Sequence, residues 1–168
     1  MTAKHDFKKE KRGGDKKFMR LAIEDGLRGI KKGDGGPFGA CVVRDGKIVA
    51  SARNTVLKTK DPTCHAEINA IRKASKKLGR WNLSGCVIYS TTEPCPMCFS
   101  AIHWAQMDEV IFGTGIPDVA KLGFNELLVR ADFMKKSGKS KVKIKSGFMR
   151  KECLQLLCEW KRLNSELY

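Results

Sequence analysis

Two short motifs, each at the start of a predicted helix, constrain the fold of this chain more than any other feature. The first places His65 two residues before Glu67, and the second places Cys95 three residues before Cys98. An imidazole and two thiolates are a typical ligand set of a catalytic zinc site, in which water takes the fourth position. The sequence therefore predicts a fold that joins the two helix starts around one Zn²⁺ ion, bound by His65, Cys95 and Cys98.

Glu67 has the position expected of a proton-transfer group. It follows His65 within one helical turn, so its carboxylate lies near the metal without being a ligand. Zinc lowers the pKa of a bound water to about 7, and a hydrolytic site then needs a group that moves protons. We therefore expect Glu67 to be catalytic.

Two alternatives involve no catalysis. The two cysteines could be unrelated buried residues, or a closed structural zinc site could take Cys64 as its fourth ligand. Adjacent residues such as Cys64 and His65 rarely reach one tetrahedral centre. Neither alternative gives a role to Glu67.

The composition indicates one folded domain. At 168 residues the chain is long enough for one well-buried domain and short for two. We expect residues 1–15 to form a basic, disordered tail and residues 16–168 to form the domain. No apolar run approaches the length of a membrane span, and the charged N-terminus is unlike a secretory signal. Seven cysteines, an odd number, indicate a reducing compartment such as the cytoplasm.

The net charge of +15 is concentrated in the flanks of the chain. Residues 1–34 carry 11 Lys/Arg against 6 Asp/Glu, residues 35–133 carry 12 against 9, and residues 134–168 carry 10 against 3. A strongly basic surface is typical of nucleic-acid binding. Because a solvated lysine-rich surface explains the charge equally well, both interpretations stay open.

Hydrophobic periodicity predicts helices that alternate with strands. Asp45-Gly46 joins the first two strands as a hairpin turn. The order predicts an α/β domain of three layers, α/β/α, around a mixed five-stranded sheet, with parallel strands wherever a helix connects them. The predicted helices cover residues 16–32, 65–78, 95–105 and 152–163, and the predicted strands cover residues 38–43, 48–52, 86–90, 109–113 and 141–145.

The two motifs resemble the H-x-E and P-C-x-x-C signature of the zinc-dependent nucleobase deaminases. The chain is similar to the cytidine-deaminase-like superfamily and, from residue 35 onward, resembles its bacterial guanine deaminases. The resemblance implies the cytidine-deaminase-like fold. The matching stretches are residues 35–40, 61–67, 93–98 and 104–105.

The resemblance also implies roles for further residues. In that family a phenylalanine packs on the purine, an asparagine hydrogen-bonds the base, and a second carboxylate assists proton transfer and reads the guanine edge. These positions are Phe38, Asn54 and Glu126 here, and Glu126 stands where the family has an aspartate. Trp104 is a further candidate for substrate binding. Taken singly, Phe38 and Trp104 could be packing residues and Asn54 could cap a turn.

A homodimer is also implied by the resemblance. The family closes its pocket with a C-terminal tyrosine from the neighbouring subunit, and this chain has Tyr168. We expect residues 150–168 to cross to the partner, with Leu157, Trp160 and Leu163 as their anchor on that chain.

The implied reaction is the hydrolytic deamination of guanine, a small purine base, to xanthine and ammonia, with Glu67 delivering protons. A tRNA adenosine deaminase is the leading alternative, because the basic flanks would then have a role. A deaminase of cytosine or cytidine is a third possibility. The non-enzymatic alternative is an inactive, zinc-bearing RNA-binding protein, in which Glu67 would have no function.

Overall fold

The computed structural model describes residues 15–163 of the chain. Each predicted helix and strand is present, and three short helices that were not predicted lie between them. The helices are α1 (Lys16–Lys31), α2 (Val56–Thr59), α3 (Ala66–Leu78), α4 (Pro96–Trp104), α5 (Ile116–Ala120), α6 (Ala131–Ser137) and α7 (Arg150–Arg162). The strands are β1 (Gly39–Arg44), β2 (Lys47–Arg53), β3 (Cys86–Thr92), β4 (Glu109–Thr114) and β5 (Lys143–Lys145).

The five strands form one mixed sheet in the order β2-β1-β3-β4-β5. β1 is antiparallel to both β2 and β3, whereas β4 is parallel to both β3 and β5. The parallel pairs are the ones joined through helices, as the sequence predicted. The predicted mixed five-stranded sheet is therefore confirmed.

The hairpin between β1 and β2 depends on two residues with left-handed backbone. Asp45 has φ 50° and Gly46 has φ 68°. A two-residue turn of this kind needs positive φ at both central positions, which favours an Asp-Gly pair. The turn thereby sets the start of β2. Asn54 follows the other end of this strand.

Helices cover both faces of the sheet. On one face, α3 packs through Ala66, Ala70 and Ala74, which are fully buried beside residues of α4 and α6. On the other face, Met19 of α1 and Cys153 of α7 belong to a second buried cluster. Small residues at four-residue spacing allow α3 to lie close to the strands. The predicted three-layer α/β/α arrangement is confirmed.

In the structure of one chain, the C-terminal helix α7 packs on that chain, and the expected crossing of residues 150–168 to a partner stays a prediction. Leu157 and Trp160 are only 3% and 4% exposed, and the Trp160 ring lies 4.7 Å from the ring of Phe124. Their apolar surface is therefore already buried within one chain. Tyr168 lies outside the described residues, as does most of the predicted N-terminal tail, which stays a prediction.

Among residues 15–163, no helix has the length and apolar character needed to cross a membrane.

Candidate active site

The structure brings the three predicted metal ligands together. His65 is the N-cap of α3, Cys95 is the N-cap of α4, and Cys98 lies in the first turn of α4. His65 Nδ1 is 3.6 Å from each of the two Sγ atoms. A tetrahedral zinc with ordinary Zn–N and Zn–S bonds requires an N···S separation of about 3.6 Å. Donor types and spacing therefore fit one Zn²⁺ ion.

Cys64 does not belong to this cluster. Its Sγ lies 3.3 Å from Asp61 Oδ2 and 3.5 Å from Arg72 Nη1. Within residues 15–163 the group that can hold a metal consists of His65, Cys95 and Cys98. Three protein ligands leave one coordination position for water or substrate, which is the arrangement of a catalytic site rather than a closed structural one.

The two ligand cysteines lie at the start of α4, where the negatively charged thiolate form is favoured. Pro96 occupies the first helical position of α4, and the positive end of a helix favours thiolates. The hydrogen bond with Cys98, followed by that with His65, lowers the pKa of Cys95 to about 4. The same bond with Cys95, together with burial, raises the pKa of Cys98. The pair therefore holds a thiolate readily, as a zinc ligand requires.

Glu67 points its carboxylate at the cluster from the first turn of α3. Its Oε1 accepts a hydrogen bond of 2.9 Å from Ser90 Oγ, and its Oε2 lies 3.5 Å from Cys98 Sγ. Burial, and then the charge of Cys95, raises the pKa of Glu67. A carboxyl group with a raised pKa is suited to exchanging protons near neutral pH.

Glu126 lies beside the same cluster, on the segment between α5 and α6. The residue is half-buried. Burial is the main cause that raises its pKa, and the charge of Cys95 raises it further while that of His65 lowers it. These interactions put a second carboxyl group within electrostatic reach of the ligands.

Asn54 is fully buried where β2 ends. Its Oδ1 accepts a hydrogen bond of 3.0 Å from the Val56 N–H, and its Nδ2 finds no partner in the described part of the chain. A Cβ atom on Gly35 would overlap Asn54 Oδ1, so glycine is required beside it. Because a buried donor without a partner costs about 1–3 kcal/mol, this amide group is placed to bind a ligand.

Phe38 lies next to Asn54, whose backbone N–H donates to the Phe38 carbonyl at 3.0 Å. The Phe38 ring is half-buried and meets Phe124 edge to face at 5.3 Å. Phe124 is two residues before Glu126, so the aromatic pair joins the chain beside Asn54 to the segment that carries Glu126.

Trp104 is not brought to the cluster within one chain. It ends α4, nine residues after Cys95, which corresponds to about 13 Å along a helix, and it is 75% exposed. The preceding residue, His103, has its Nδ1 3.0 Å from Ser140 Oγ. One chain therefore gives no support to Trp104 as a substrate-binding residue.

Sequence reasoning gave no role to two buried polar residues at the site. Ser90 supports Glu67, as described above, and Glu93 accepts hydrogen bonds from the backbone of Ile116 and Ala131. The only feature of the sequence that could have indicated the role of Ser90 is a hydroxyl group within a predicted buried strand. Glu93 was visible as part of the second motif, but its contacts join residues far apart in the chain.

Comparison with known families agrees with this geometry. The family model of the cytidine and deoxycytidylate deaminase zinc-binding region matches residues 13–114. The chain belongs to this family of zinc-dependent deaminases. It is a hydrolytic enzyme, and zinc is its cofactor.

Individual relatives include two kinds of deaminase. The chain is 44% identical to a guanine deaminase of Bacillus subtilis (strain 168) over 112 residues, 67% of this chain and 72% of that protein. It is 40% identical to a tRNA-specific adenosine deaminase of Aquifex aeolicus (strain VF5) over 99 residues, 59% of this chain and 65% of that protein. The solved guanine deaminase from Nitrosomonas europaea is similar with a TM-score of 0.81 at 27% identity, covering 89% of this chain and 86% of that one.

Proposed function

We propose that the enzyme deaminates guanine to xanthine and ammonia. The observation that carries this proposal is the buried Asn54 amide, whose Nδ2 lacks a partner within residues 15–163 and which lies next to Phe38. Guanine presents the acceptors O6 and N7 to such a donor, and its ring N–H and amino group can donate to the Glu126 carboxylate. The similarity to two guanine deaminases supports the same substrate.

Different residues of the chain bind the metal and transfer protons in this reaction. His65, Cys95 and Cys98 would hold the zinc ion, which would supply the Lewis acid that makes water nucleophilic at neutral pH. Glu67 takes a proton from the attacking water and passes protons to the ring and to the departing amino group, so that guanine and water become xanthine and ammonia.

The distribution of lysines does not favour tRNA as the substrate. In the lysine-rich stretch of residues 134–151, Lys143 pairs with Glu109 at the start of β4. Cys95, in contrast, follows the end of β3. Because β3 and β4 are parallel, β5 borders the end of the sheet that is away from the ligands. The lysines of β5 therefore lie away from the ligand end of the sheet.

The active form is proposed to be a homodimer. Large apolar side chains that stay exposed on one chain are what a subunit interface covers. The resemblance to the family gives Tyr168 as the residue that closes the pocket of a neighbouring subunit. The exposed apolar residues that support an interface are Trp104, Leu127, Leu128 and Phe133.

A reducing, cytoplasmic location is also proposed. All seven cysteines are free in the structure. Two of them are zinc ligands, and four others are buried. Disulfide bonds would compete with zinc for the ligand thiols, so a reducing compartment suits this enzyme.

An ammonia-release assay with guanine, adenosine, cytidine, cytosine and unmodified tRNA tests the substrate. We expect release from guanine alone, and loss of that activity in Glu67→Gln with zinc retained. Conversion of adenosine to inosine in tRNA without activity on guanine would overturn the proposal.

A further inference from the structure

Glu93 belongs to the Glu-Pro-Cys motif, yet neither zinc binding nor proton transfer uses it. Its side chain is 1% exposed. Oε2 accepts a hydrogen bond of 3.2 Å from the Ile116 N–H, and Oε1 accepts one of 3.0 Å from the Ala131 N–H. Arg130 Nε lies 3.7 Å from Oε1. The carboxylate therefore faces two backbone donors and a guanidinium group.

These two donors have a particular place in the chain. Ile116 is the first residue of α5 and Ala131 is the first residue of α6. Backbone N–H groups in the first turn of a helix have no partner within the helix, and negative charge is favoured there. A single carboxylate thus binds both ends of residues 116–131, the segment that carries Glu126.

We propose that Glu93 is a positioning residue that holds Glu126 at the zinc cluster by fixing both ends of residues 116–131. Its backbone N–H also donates to the Thr114 carbonyl at 2.8 Å, and Cys95 follows it by two residues. The loop that carries a zinc ligand therefore also fixes the segment that carries the second carboxyl group. The inference rests on the proposed function, because it assigns Glu126 to substrate turnover.

Glu93→Gln tests whether the carboxylate holds residues 116–131, because glutamine has nearly the same size and shape as glutamate. The amide keeps one acceptor oxygen, but its NH₂ group would face a backbone N–H donor, so one end of the segment is released. We expect kcat/KM for guanine to fall about tenfold or more while zinc stays at one per chain. Arg130→Gln is the matched control. The Arg130 side chain is 56% exposed, so its loss is expected to change kcat/KM by less than about twofold.

A double-mutant cycle separates positioning from general stability. In a Glu126→Gln background the segment no longer carries the group that Glu93 is proposed to place. We therefore expect Glu93→Gln to lower kcat/KM by less than about twofold there, which is the coupling expected of residues that act together. Equal losses in both backgrounds would overturn the proposal, as would loss of zinc from Glu93→Gln.

Amide hydrogen exchange gives a test that does not depend on the substrate. In Glu93→Gln the amides of residues 116–131 are expected to exchange at least about tenfold faster, while those of α4 are unchanged. If the wild-type enzyme does not deaminate guanine, the proposed function fails. The exchange measurement still decides whether Glu93 holds residues 116–131, and unchanged exchange there would overturn that inference.

Ala131→Pro breaks the Ala131 bond without changing the residue at position 93, because the proline Cδ takes the place of the amide hydrogen and displaces the Glu93 carboxylate from it. Proline lacks the N–H donor and is well accepted at the first position of a helix. Arg130, which precedes it, already has φ −73° and ψ 151°, a conformation that is compatible with a following proline. We expect the same faster exchange over residues 116–131. If exchange there is unchanged in this variant, the Ala131 bond does not hold the segment and the proposal is wrong.

Discussion

Ser90→Ala should weaken catalysis by releasing one oxygen of the Glu67 carboxylate. The bond from Ser90 Oγ to Glu67 Oε1 is 2.9 Å long, and the two residues are 1% and 5% exposed. A hydrogen bond to a charged group contributes about 1.5–3 kcal/mol. If this bond orients the carboxylate for proton transfer, kcat/KM should fall by roughly tenfold to a hundredfold.

The loss should depend on pH in a defined direction. The hydrogen bond from Ser90 lowers the pKa of Glu67, in opposition to burial, which raises it. Removing the hydroxyl should therefore raise the pKa further, and a larger fraction of Glu67 should be protonated at a given acid pH. Because the reaction begins with a carboxylate that accepts a proton, the deficit should be largest in acid and shrink as the pH rises.

The assay is kcat/KM for guanine across the pH range, with zinc content measured on the same samples. Ser90→Thr is the control, since it keeps the hydroxyl group in a strand that tolerates a β-branched residue. We expect Ser90→Thr to retain most of the activity. Its kcat/KM should decrease over the same acid pH range as that of the wild-type enzyme. A Ser90→Ala profile that is lower by the same factor at every pH would refute the pKa argument, and an unchanged profile would refute the role of Ser90.

Two further predictions concern the metal and the C-terminus. Cys95→Ser and Cys98→Ser should each lose zinc, whereas Cys64→Ser should keep one zinc per chain, because the Cys64 thiol contacts other groups; metal analysis of the purified variants decides this. Mixing Glu67→Gln with a protein that lacks Tyr168 should restore activity after co-refolding if the tail crosses between subunits. Mixed dimers without activity would contradict the crossing.

Much of the fold could be predicted because its signals are local. The Asp45-Gly46 turn and the periodicity of the longer elements depend on neighbouring residues, and each corresponding element is present. α5 and α6 were missed because helices of five and seven residues are too short to show a clear period. Their absence from the prediction left the Glu126 segment as an apparent loop, although Glu93 holds it at both ends.

The metal ligands could be predicted from chemistry, whereas their supporting contacts could not. Cysteine and histidine at these spacings have few other uses, so the motif alone indicates zinc. The contacts of Ser90 and Glu93 join residues 23 to 38 positions apart. A serine in a strand and a glutamate before a proline have many possible partners, and only the three-dimensional arrangement selects one.

The position of α7 shows a different limit of sequence reasoning. Its amphipathic pattern predicts that one face is buried, but the pattern is the same whether the partner surface belongs to its own chain or to another. In the structure, Trp160 packs on Phe124, which also contacts Phe38, so α7 supports the candidate pocket of its own chain. The apolar side chains that stay exposed on one chain, and that a second subunit would cover, include Trp104, Leu127, Leu128 and Phe133. Dimer formation should therefore weaken when these exposed residues are replaced by polar ones, whichever chain the buried face of α7 packs on.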